Sequence, residues 1–233
     1  MQPFVFKQFV IHQNQTAMKI GTDAVLLGSW ADITHASSVL DIGTGTGILS
    51  LMVAQRNKKA EITAVEIEER AYKQALFNFQ NSKWANRITL QHIDIQNFNT
   101  QGKFDTVISN PPFYDNQHFT PDTTRTLARH TSTLSFSELI EKSVSLLTEN
   151  GFFHVIIPHS SENKFLMMAQ SFNLHPSRIL RVRGNKDSPL KRSLITLSFH
   201  PKNTQETELI IEKSRHQYTK DYINLTKDFY LKM

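Results

Sequence analysis

Two spacings of hydrophobic residues alternate along the chain from residue 38 onwards. Short apolar runs predict buried strands, and longer segments with apolar residues at every third or fourth position predict helices. Strands that alternate with helices predict parallel strands joined by right-handed crossovers. The predicted strands cover 38–42, 61–66, 88–92, 104–109 and 151–157, and the predicted helices cover 46–55, 68–82, 136–147 and 160–172.

The spacing changes near the end of the chain. Two further strands are predicted over 179–182 and 194–199, and the gap of 184–191 between them is too short for a crossover helix. A hairpin at this point places one antiparallel strand in the sheet. We therefore predict an α/β fold with a seven-stranded, mostly parallel sheet and helices on both faces.

One domain accounts for the whole chain, 1–233, because neither a repeat nor a linker interrupts the pattern. Residues 1–37 form an N-terminal extension that ends in an amphipathic helix. Residues 38–200 form the core, and residues 201–233 form a C-terminal tail whose last aromatic residues have helical spacing.

Composition narrows the class of protein. The absence of cysteine excludes disulfides and thiolate metal sites, and it is typical of a cytoplasmic protein. No apolar run is long enough to span a membrane, and the histidines lack metal-ligand spacing, so we expect neither membrane nor metal. The net charge of +5 favours a polyanionic partner.

A glycine-rich turn follows the first core strand. Asp41 ends that strand, and Gly43, Gly45 and Gly47 stand at alternate positions before a helical pattern begins. A dinucleotide site requires a different glycine spacing, and a carboxylate here would repel a pyrophosphate. The acidic residue suits a cofactor with a cationic end. The loop resembles that of S-adenosylmethionine-dependent methyltransferases, which implies a cofactor role for all four residues.

Acidic residues also follow the next two strands. Glu66 ends the second strand and can accept hydrogen bonds from ribose hydroxyls. Asp94 follows the third strand and can accept a hydrogen bond from an adenine amine, with Ile67 and Ile95 on either side of the ring. A helix N-cap is an equally good interpretation of Asp94.

The end of the N-terminal extension allows two interpretations. Lys19, Thr22 and Asp23 precede an apolar helix, and Thr22-Asp23 has the composition of an N-cap. The first interpretation is a helix packed on the core. The second is a lid that brings these three residues over the glycine loop.

The most specific motif is Asn110-Pro111-Pro112-Phe113, which follows the fourth strand directly. Neither proline has an N–H, so the Pro111 carbonyl and the Asn110 side-chain oxygen can accept two hydrogen bonds from a planar amine. Phe113 can stack on the target ring. The segment resembles the motif of methyltransferases that modify adenine, cytosine, guanine or glutamine nitrogens. We assign all four residues to catalysis, and Asn110 also to the cofactor site.

Basic residues cluster in two places. Arg181, Arg183, Lys191 and Arg192 lie around the predicted late hairpin, and Arg125 and Arg129 follow the Asn110–Phe113 segment. Both groups can bind phosphates, although a solvated surface is the ordinary explanation of such runs. We predict RNA contacts at both. For Arg125 and Arg129 the prediction is supported by their position next to the catalytic motif.

Taken together, these motifs resemble the bacterial tRNA (adenine-N6)-methyltransferases that act on the adenine 3′ of the anticodon of valine tRNA. The segments that carry the resemblance are Phe6–Phe9, Ala17–Lys19, Gly21–Ala24, Leu26–Gly28, Asp41–Gly47, Asn110–Phe113, Arg125, Ala128–His130, Leu225–Thr226 and Asp228–Leu231. The resemblance implies a Rossmann-like class I methyltransferase fold, S-adenosylmethionine as donor and tRNA as acceptor. We expect a monomer, because one chain supplies the whole cofactor site.

Other functions remain open at this stage. An rRNA or DNA base and a protein glutamine are alternative substrates, although residues 1–37 are too short for the helical domain of the glutamine enzymes. A catalytically silent binding module would not need the acceptors of Asn110–Phe113. A nicotinamide dehydrogenase is disfavoured by the glycine spacing.

Overall fold

The central element is an eight-stranded sheet with the strand order β10-β8-β9-β7-β6-β3-β4-β5, seen in a computed structural model that describes residues 2–16, 19–112 and 134–232. Two small antiparallel pairs, β1–β2 and β11–β12, lie outside this sheet. The strands are β1 (Phe4–Val5), β2 (Val10–Ile11), β3 (Ser38–Ile42), β4 (Glu61–Glu66), β5 (Ile88–His92), β6 (Phe104–Ser109), β7 (Leu147–Pro158), β8 (His175–Arg183), β9 (Leu190–Ser198), β10 (Gln205–Ile210), β11 (Glu212–Ser214) and β12 (Gln217–Tyr218).

Helices cover both faces of the sheet, as predicted. They are α1 (Thr22–Trp30), α2 (Ile48–Arg56), α3 (Glu69–Gln80), α4 (Phe136–Leu146), α5 (Glu162–Ser171) and α6 (Lys220–Thr226). Among the helices that the structure describes, none combines the length and the apolar character needed to cross a bilayer.

The predicted sheet is confirmed except for its number of strands. β3 to β7 are parallel, and β9 runs antiparallel to both of its neighbours, β7 and β8. The prediction of seven strands was wrong by one, because β10 adds an eighth strand parallel to β8 inside the stretch predicted as a tail. Four of its six residues are exposed, so this edge strand lacks the apolar run of a central strand.

Two hydrophobic clusters lie on opposite faces of the sheet. Side chains alternate between them along β7, where Ile156 joins one cluster and Val155 and Ile157 join the other. The first cluster contains buried residues of α1, α2 and α3, and the second contains buried residues of α4 and α5. This alternation fixes the face on which each helix packs.

The two ends of the chain pack against each other. Phe6 forms an antiparallel bridge with Tyr230, and the Lys7 amide donates to the Phe229 carbonyl at 2.8 Å. The Phe6 ring lies 5.9 Å from the Tyr230 ring between centroids. The extension and the tail therefore form one layer on the α1 face, and Phe229 is fully buried in it.

Candidate active site

The carboxyl ends of β3, β4 and β6 meet at one edge of the sheet. Ile42 at the end of β3 is in register with Val65 on one side and Ser109 on the other. The buried Ser109 hydroxyl donates to the Ile42 carbonyl at 2.9 Å. Since neighbouring strands lie about 4.8 Å apart, the loops that follow β3 and β6 start side by side.

The glycine loop after β3 has a left-handed backbone at each predicted glycine. Gly43, Gly45 and Gly47 have φ values of 69°, 59° and 85°. A Cβ built on Gly43 meets no atom of the described residues within 4 Å, whereas a Cβ on Gly47 lies 2.5 Å from the Phe79 ring. As far as the described residues go, the first two glycines therefore leave open space at the sheet edge, and the third lets α2 pack closely on α3.

Asp41 is fully buried beneath this loop. Its Oδ2 accepts hydrogen bonds from the Thr44 hydroxyl at 2.6 Å, the Ser50 hydroxyl at 2.7 Å and the Ser50 amide at 3.1 Å. Its Oδ1 has no hydrogen-bond partner among the described residues. Burial raises the pKa of Asp41 to about 6, because its effect is larger than that of the three hydrogen bonds, which lower the pKa. A buried carboxylate oxygen without a partner fits a cationic ligand.

Glu66 stands at the end of β4, beside the glycine loop. Its Oε2 accepts from the Gly45 amide at 2.8 Å, and its Oε1 accepts from the Glu68 amide at 2.9 Å. Burial raises the pKa of this carboxyl. A carboxylate oxygen has more than one lone pair, so both oxygens can also accept from the hydroxyls of a ribose. The Gly45 and Glu68 amides fix the orientation of the Glu66 carboxylate in which its oxygens would bind a ribose.

The predicted adenine contacts lie in different environments. Ile67 follows Glu66 and is 42% exposed, so its apolar surface is available to a flat ring. Ile95 is buried in the second hydrophobic cluster. The Asp94 carboxylate accepts from the Gln96 amide at 3.0 Å and caps a short turn, which is the N-cap interpretation. An additional adenine contact of Asp94 stays a prediction.

The three residues predicted at the end of the extension bond to protein groups. The Lys19 ammonium donates to two backbone carbonyls of its own segment, and Thr22 is the exposed first residue of α1. Asp23 accepts from the Arg192 guanidinium at 2.7 Å. The rest of α1 is buried on the core. The packed-helix interpretation thus describes α1, and the lid role of the three residues stays a prediction.

Two buried side-chain amides on α3, Asn78 and Gln74, were not predicted from the sequence. Both bond to the N-terminal extension, and Asn78 also bonds to the glycine loop. Asn78 Nδ2 donates to the Thr46 carbonyl at 2.8 Å and to the His12 carbonyl at 2.9 Å, and its Oδ1 accepts from the His12 amide at 2.9 Å. Gln74 accepts from the Gln15 amide at 3.1 Å. Two polar residues four positions apart on the apolar face of a helix were the signal that could have revealed them.

The Asn110–Pro112 segment begins at the end of β6, next to the start of the glycine loop. Asn110 is half-buried, Pro111 is buried and Pro112 is exposed. Phe113, Arg125 and Arg129 lie outside the described residues. The described part therefore places an amide side chain and a carbonyl without a neighbouring N–H at the same edge as Asp41.

The predicted RNA-binding arginines of β8 form ion pairs with acidic residues of this chain. Arg181 pairs with Glu162 on α5 at 2.7 Å and with Glu206 on β10 at 2.7 Å. Arg183 pairs with Glu208 at 2.7 Å. These contacts connect the edge strand β10 to β8, and the RNA contact of the two arginines stays a prediction.

The start of β9 lies nearer to the Asn110 loop. Arg192 is in register with Pro158 at the carboxyl end of β7, and β7 is the neighbour of β6. Lys191 is exposed beside it. The structure thus brings Lys191 and Arg192 to the edge where β6 ends. Within the described residues, no group of three or more His, Asp or Glu side chains is arranged to hold a metal ion.

Comparisons with known proteins agree with this geometry. A family model described as "Methyltransferase small domain" matches residues 15–177. The chain is 48% identical over 233 residues to a tRNA1(Val) (adenine(37)-N6)-methyltransferase of Flavobacterium psychrophilum, covering 99% of this chain and 100% of that protein. It is 43% identical to the Bacteroides fragilis protein of the same name, covering 100% and 99%.

A solved structure shares the fold. It is a predicted O-methyltransferase from Agrobacterium tumefaciens with a TM-score of 0.69 and 21% identity, and the match covers 88% of this chain and 96% of that one. At this identity the likeness concerns the fold alone.

Proposed function

The chain belongs to the family of tRNA1(Val) (adenine(37)-N6)-methyltransferases, and from this membership we propose that it methylates the N6 amine of an adenine in tRNA. The target we propose is the adenine 3′ of the anticodon of valine tRNA; the names of the relatives give adenine 37 of tRNA1(Val) for those proteins. S-adenosylmethionine supplies the methyl group. The family resemblance found in the sequence is thereby confirmed, and the residue roles below are proposals.

The donor half of the site is formed by the ends of β3 and β4. Asp41 offers a buried carboxylate oxygen that lacks a partner among the described residues, which suits the cationic end of the cofactor. The open space at Gly43 and Gly45 admits a ligand against the backbone. Glu66, held by two amides, suits the ribose, and the exposed Ile67 suits the adenine ring.

The acceptor half is formed by the Asn110–Pro112 segment, with Phe113 as the stacking residue. An exocyclic adenine nitrogen is a poor nucleophile because its lone pair is delocalised into the ring. The Asn110 oxygen and the Pro111 carbonyl would accept its two N–H bonds, which orients the nitrogen and favours a pyramidal geometry. A neutral pair of acceptors suffices, because the proton leaves after the new N–C bond has made the nitrogen acidic.

One observation carries this proposal. Ile42 and Ser109 are register partners, and a side-chain hydrogen bond joins them. The donor loop begins one residue after Ile42, and Asn110 follows Ser109 directly. This supports the proposal, because the loop proposed to hold the methyl donor and the residues proposed to accept the amine begin at one edge, about one strand spacing apart.

Substrate contacts outside the base are proposed for four basic residues. Lys191 and Arg192 reach the edge through β9, and Arg125 and Arg129 follow the Asn110–Phe113 segment in the chain. Arg181 and Arg183 form ion pairs with acidic residues, so an RNA role for them would require those ion pairs to be shared with phosphates.

The variant Asn110→Ala tests the proposed chemistry. The substrate is total tRNA from a strain that lacks the enzyme, the donor carries a labelled methyl group, and the modified nucleoside is mapped. We expect N6-methyladenine from the wild type and a loss of turnover of about 10²-fold or more in the variant. Cofactor affinity, measured by calorimetry, should fall far less than turnover, because Asn110 is only one of the residues assigned to the cofactor site.

Asn99→Ala is the matched control, because Asn99 is exposed and lies before β6 rather than after it. An equal loss of turnover and cofactor affinity in Asn110→Ala would assign Asn110 a structural role. Label that appears in rRNA, DNA or glutamine rather than in tRNA would assign the enzyme one of the alternative substrates.

Two further proposals concern the setting of the reaction. We propose a cytoplasmic location because the proposed substrate is tRNA, and fractionation of cells with an antibody tests it. We propose a monomer because Asp41, Glu66 and Asn110 all come from one chain. Light scattering at micromolar concentration should give a mass near 26.8 kDa.

A further inference from the structure

The β11–β12 hairpin lies at the same edge of the sheet as the active site. It follows β10, which runs parallel to β8 with Ile210 in register with Arg183. Since β9 is antiparallel to both β8 and β7, the strands β8, β10, β7 and β6 all point in one direction. The carboxyl end of β10, and with it the hairpin, therefore lies at the edge where Asn110 follows β6.

Backbone hydrogen bonds attach this hairpin to the turn between β8 and β9. The Ile211 amide donates to the Arg183 carbonyl at 3.1 Å, and the Glu212 amide donates to the Gly184 carbonyl at 2.8 Å. The base of the hairpin is closed by the Thr219 amide, which donates to the Ile211 carbonyl at 2.9 Å. The turn 184–191 and the segment 211–221, which contains the β11–β12 hairpin, thus form one continuous surface along the edge, which we call the ridge.

The ridge carries more exposed positive charge than negative charge. Its exposed cationic side chains are Lys186, Lys191, Lys213, Arg215 and Lys220. The acidic residues of the same two segments are Asp187, Glu212 and Asp221. None of the five cations forms an ion pair with another of the described residues, in contrast to Arg181 and Arg183 in the neighbouring strand.

The ridge lies far from Asn110, the residue proposed to contact the target base. β10 lies four strand positions from β6, which is about 19 Å at a strand spacing of about 4.8 Å. The rise is about 3.4 Å per nucleotide along one strand of duplex DNA and smaller in A-form RNA, so this distance spans at least five or six nucleotides. A helical RNA segment beside the reacting base is therefore long enough to reach from Asn110 to the hairpin that carries Lys213 and Arg215.

We propose that the β11–β12 hairpin, through Lys213 and Arg215, binds the phosphate backbone of the tRNA helical stem that adjoins the loop holding the target adenine. The inference rests on the proposed function, which supplies the RNA substrate. Contacts of this type position the substrate and carry no base specificity. Their physical signature is a dependence of affinity on salt, because each neutralised phosphate releases counterions.

The test compares the double variant Lys213→Ala/Arg215→Ala with the wild type in binding full-length tRNA between 50 and 300 mM salt. We expect weaker binding and a slope of log K against log salt that is smaller in magnitude by about two, one for each lost phosphate contact. Cofactor affinity and thermal unfolding, which report the integrity of the fold, should match the wild type.

Two controls sharpen this measurement. Lys58→Ala/Lys59→Ala removes two exposed cations just before β4, at the opposite edge of the sheet, and should leave the slope unchanged. A short stem-loop RNA that keeps the target loop and only two base pairs of the stem should bind wild type and Lys213→Ala/Arg215→Ala with the same slope.

The outcomes separate this inference from the proposed function. Methylation of tRNA by the wild type, with an unchanged slope in Lys213→Ala/Arg215→Ala, would overturn the hairpin contact and leave the function intact. An equal loss of slope in Lys58→Ala/Lys59→Ala would also overturn it, since net charge alone would then explain the effect. A wild type that binds tRNA through the hairpin without methylating it would refute the function and support the contact.

Discussion

Replacement of Asp41 by asparagine isolates the charge of the donor site from its packing. Asp41 is fully buried, its Oδ2 accepts all three of its hydrogen bonds, and its Oδ1 has no partner among the described residues. The asparagine oxygen can accept the same three bonds from Thr44 and Ser50, with the NH₂ group at the position of Oδ1. The variant therefore loses a buried negative charge and keeps the shape of the side chain.

The magnitude follows from the pKa of Asp41, which burial raises from its ordinary value of 3.8 to about 6. Between these two pH values the folded protein binds a proton that the unfolded chain releases. The contribution of Asp41 to the free energy of unfolding is therefore most favourable below pH 3.8, falls between pH 3.8 and about 6, and is constant above that. Two units at 1.36 kcal/mol each give a cost of roughly 3 kcal/mol for the cofactor-free wild type at pH 8.

Urea unfolding of both proteins without cofactor, at pH 5 and pH 8, measures this cost. We expect the stability of Asp41→Asn relative to the wild type to be higher at pH 8 than at pH 5 by about 1.4 kcal/mol. The buried NH₂ group, which lacks a partner at the position of Oδ1, lowers the stability of the variant equally at both pH values and does not affect this difference. S-adenosylmethionine should then stabilise the wild type much more than the variant, because the charge that destabilises the empty site attracts the cationic ligand.

A matched control is Asp105→Asn. Asp105 is a half-buried carboxylate in β6 near the opposite edge of the sheet, where it accepts from the Ser37 and Ser38 amides. Its replacement should produce no stabilisation at pH 8. A stability of Asp41→Asn relative to the wild type that is equal at both pH values, or higher at pH 5, would refute the assignment of the raised pKa to Asp41.

Three shorter predictions follow from other contacts. Gly47→Ala forces a Cβ into the Phe79 ring at a φ of 85° and should lower the free energy of unfolding by about 2–4 kcal/mol. The control Gly102→Ala adds a Cβ that meets no described atom and should change the free energy of unfolding by less than about 0.5 kcal/mol, so equal effects of the two variants in urea unfolding would contradict this reasoning. Asn78→Ala leaves the backbone groups of His12 and Thr46 without their partner, so it should lower the free energy of unfolding by about 2–3 kcal/mol and weaken cofactor binding in calorimetry. An unchanged cofactor affinity would show that α3 does not support the cofactor site. Deletion of residues 2–9 removes two buried phenylalanines and should lower the free energy of unfolding by more than about 3 kcal/mol. A thermal unfolding midpoint equal to that of the wild type would disprove this.

The elements that could be predicted from the sequence are those encoded in local pattern. The strand that contains Asp41 is an apolar run, and the glycines that follow it are the residues best suited to a positive φ, so the donor loop was predictable. The strand β10 was missed because its exposed, charged residues resemble those of a loop. An edge strand is defined by its hydrogen bonds to a neighbour, and those bonds join residues far apart in the sequence.

The side-chain partners were not predictable for a related reason. Arg181 was predicted to lie at the late hairpin, but the two acids that pair with it are far away in the chain, Glu162 by 19 residues before it and Glu206 by 25 residues after it. Asn78 connects to His12 across 66 residues. A charge or an amide can be read from the sequence, whereas the group that satisfies it is determined by packing.

The order of the strands explains why the donor and acceptor loops meet although Asp41 and Asn110 are far apart in the sequence. From β3 the chain moves outward through β4 and β5 on one side, then returns to place β6 on the other side of β3. At such a reversal, the connections that leave the two adjacent strands diverge, and a crevice opens between them above the carboxyl ends. Gly43 and Asn110 are the first residues beyond those two ends. The donor loop therefore has room for a ligand beside the acceptors because the strand order reverses at β3 and β6, and neither motif alone would produce that space.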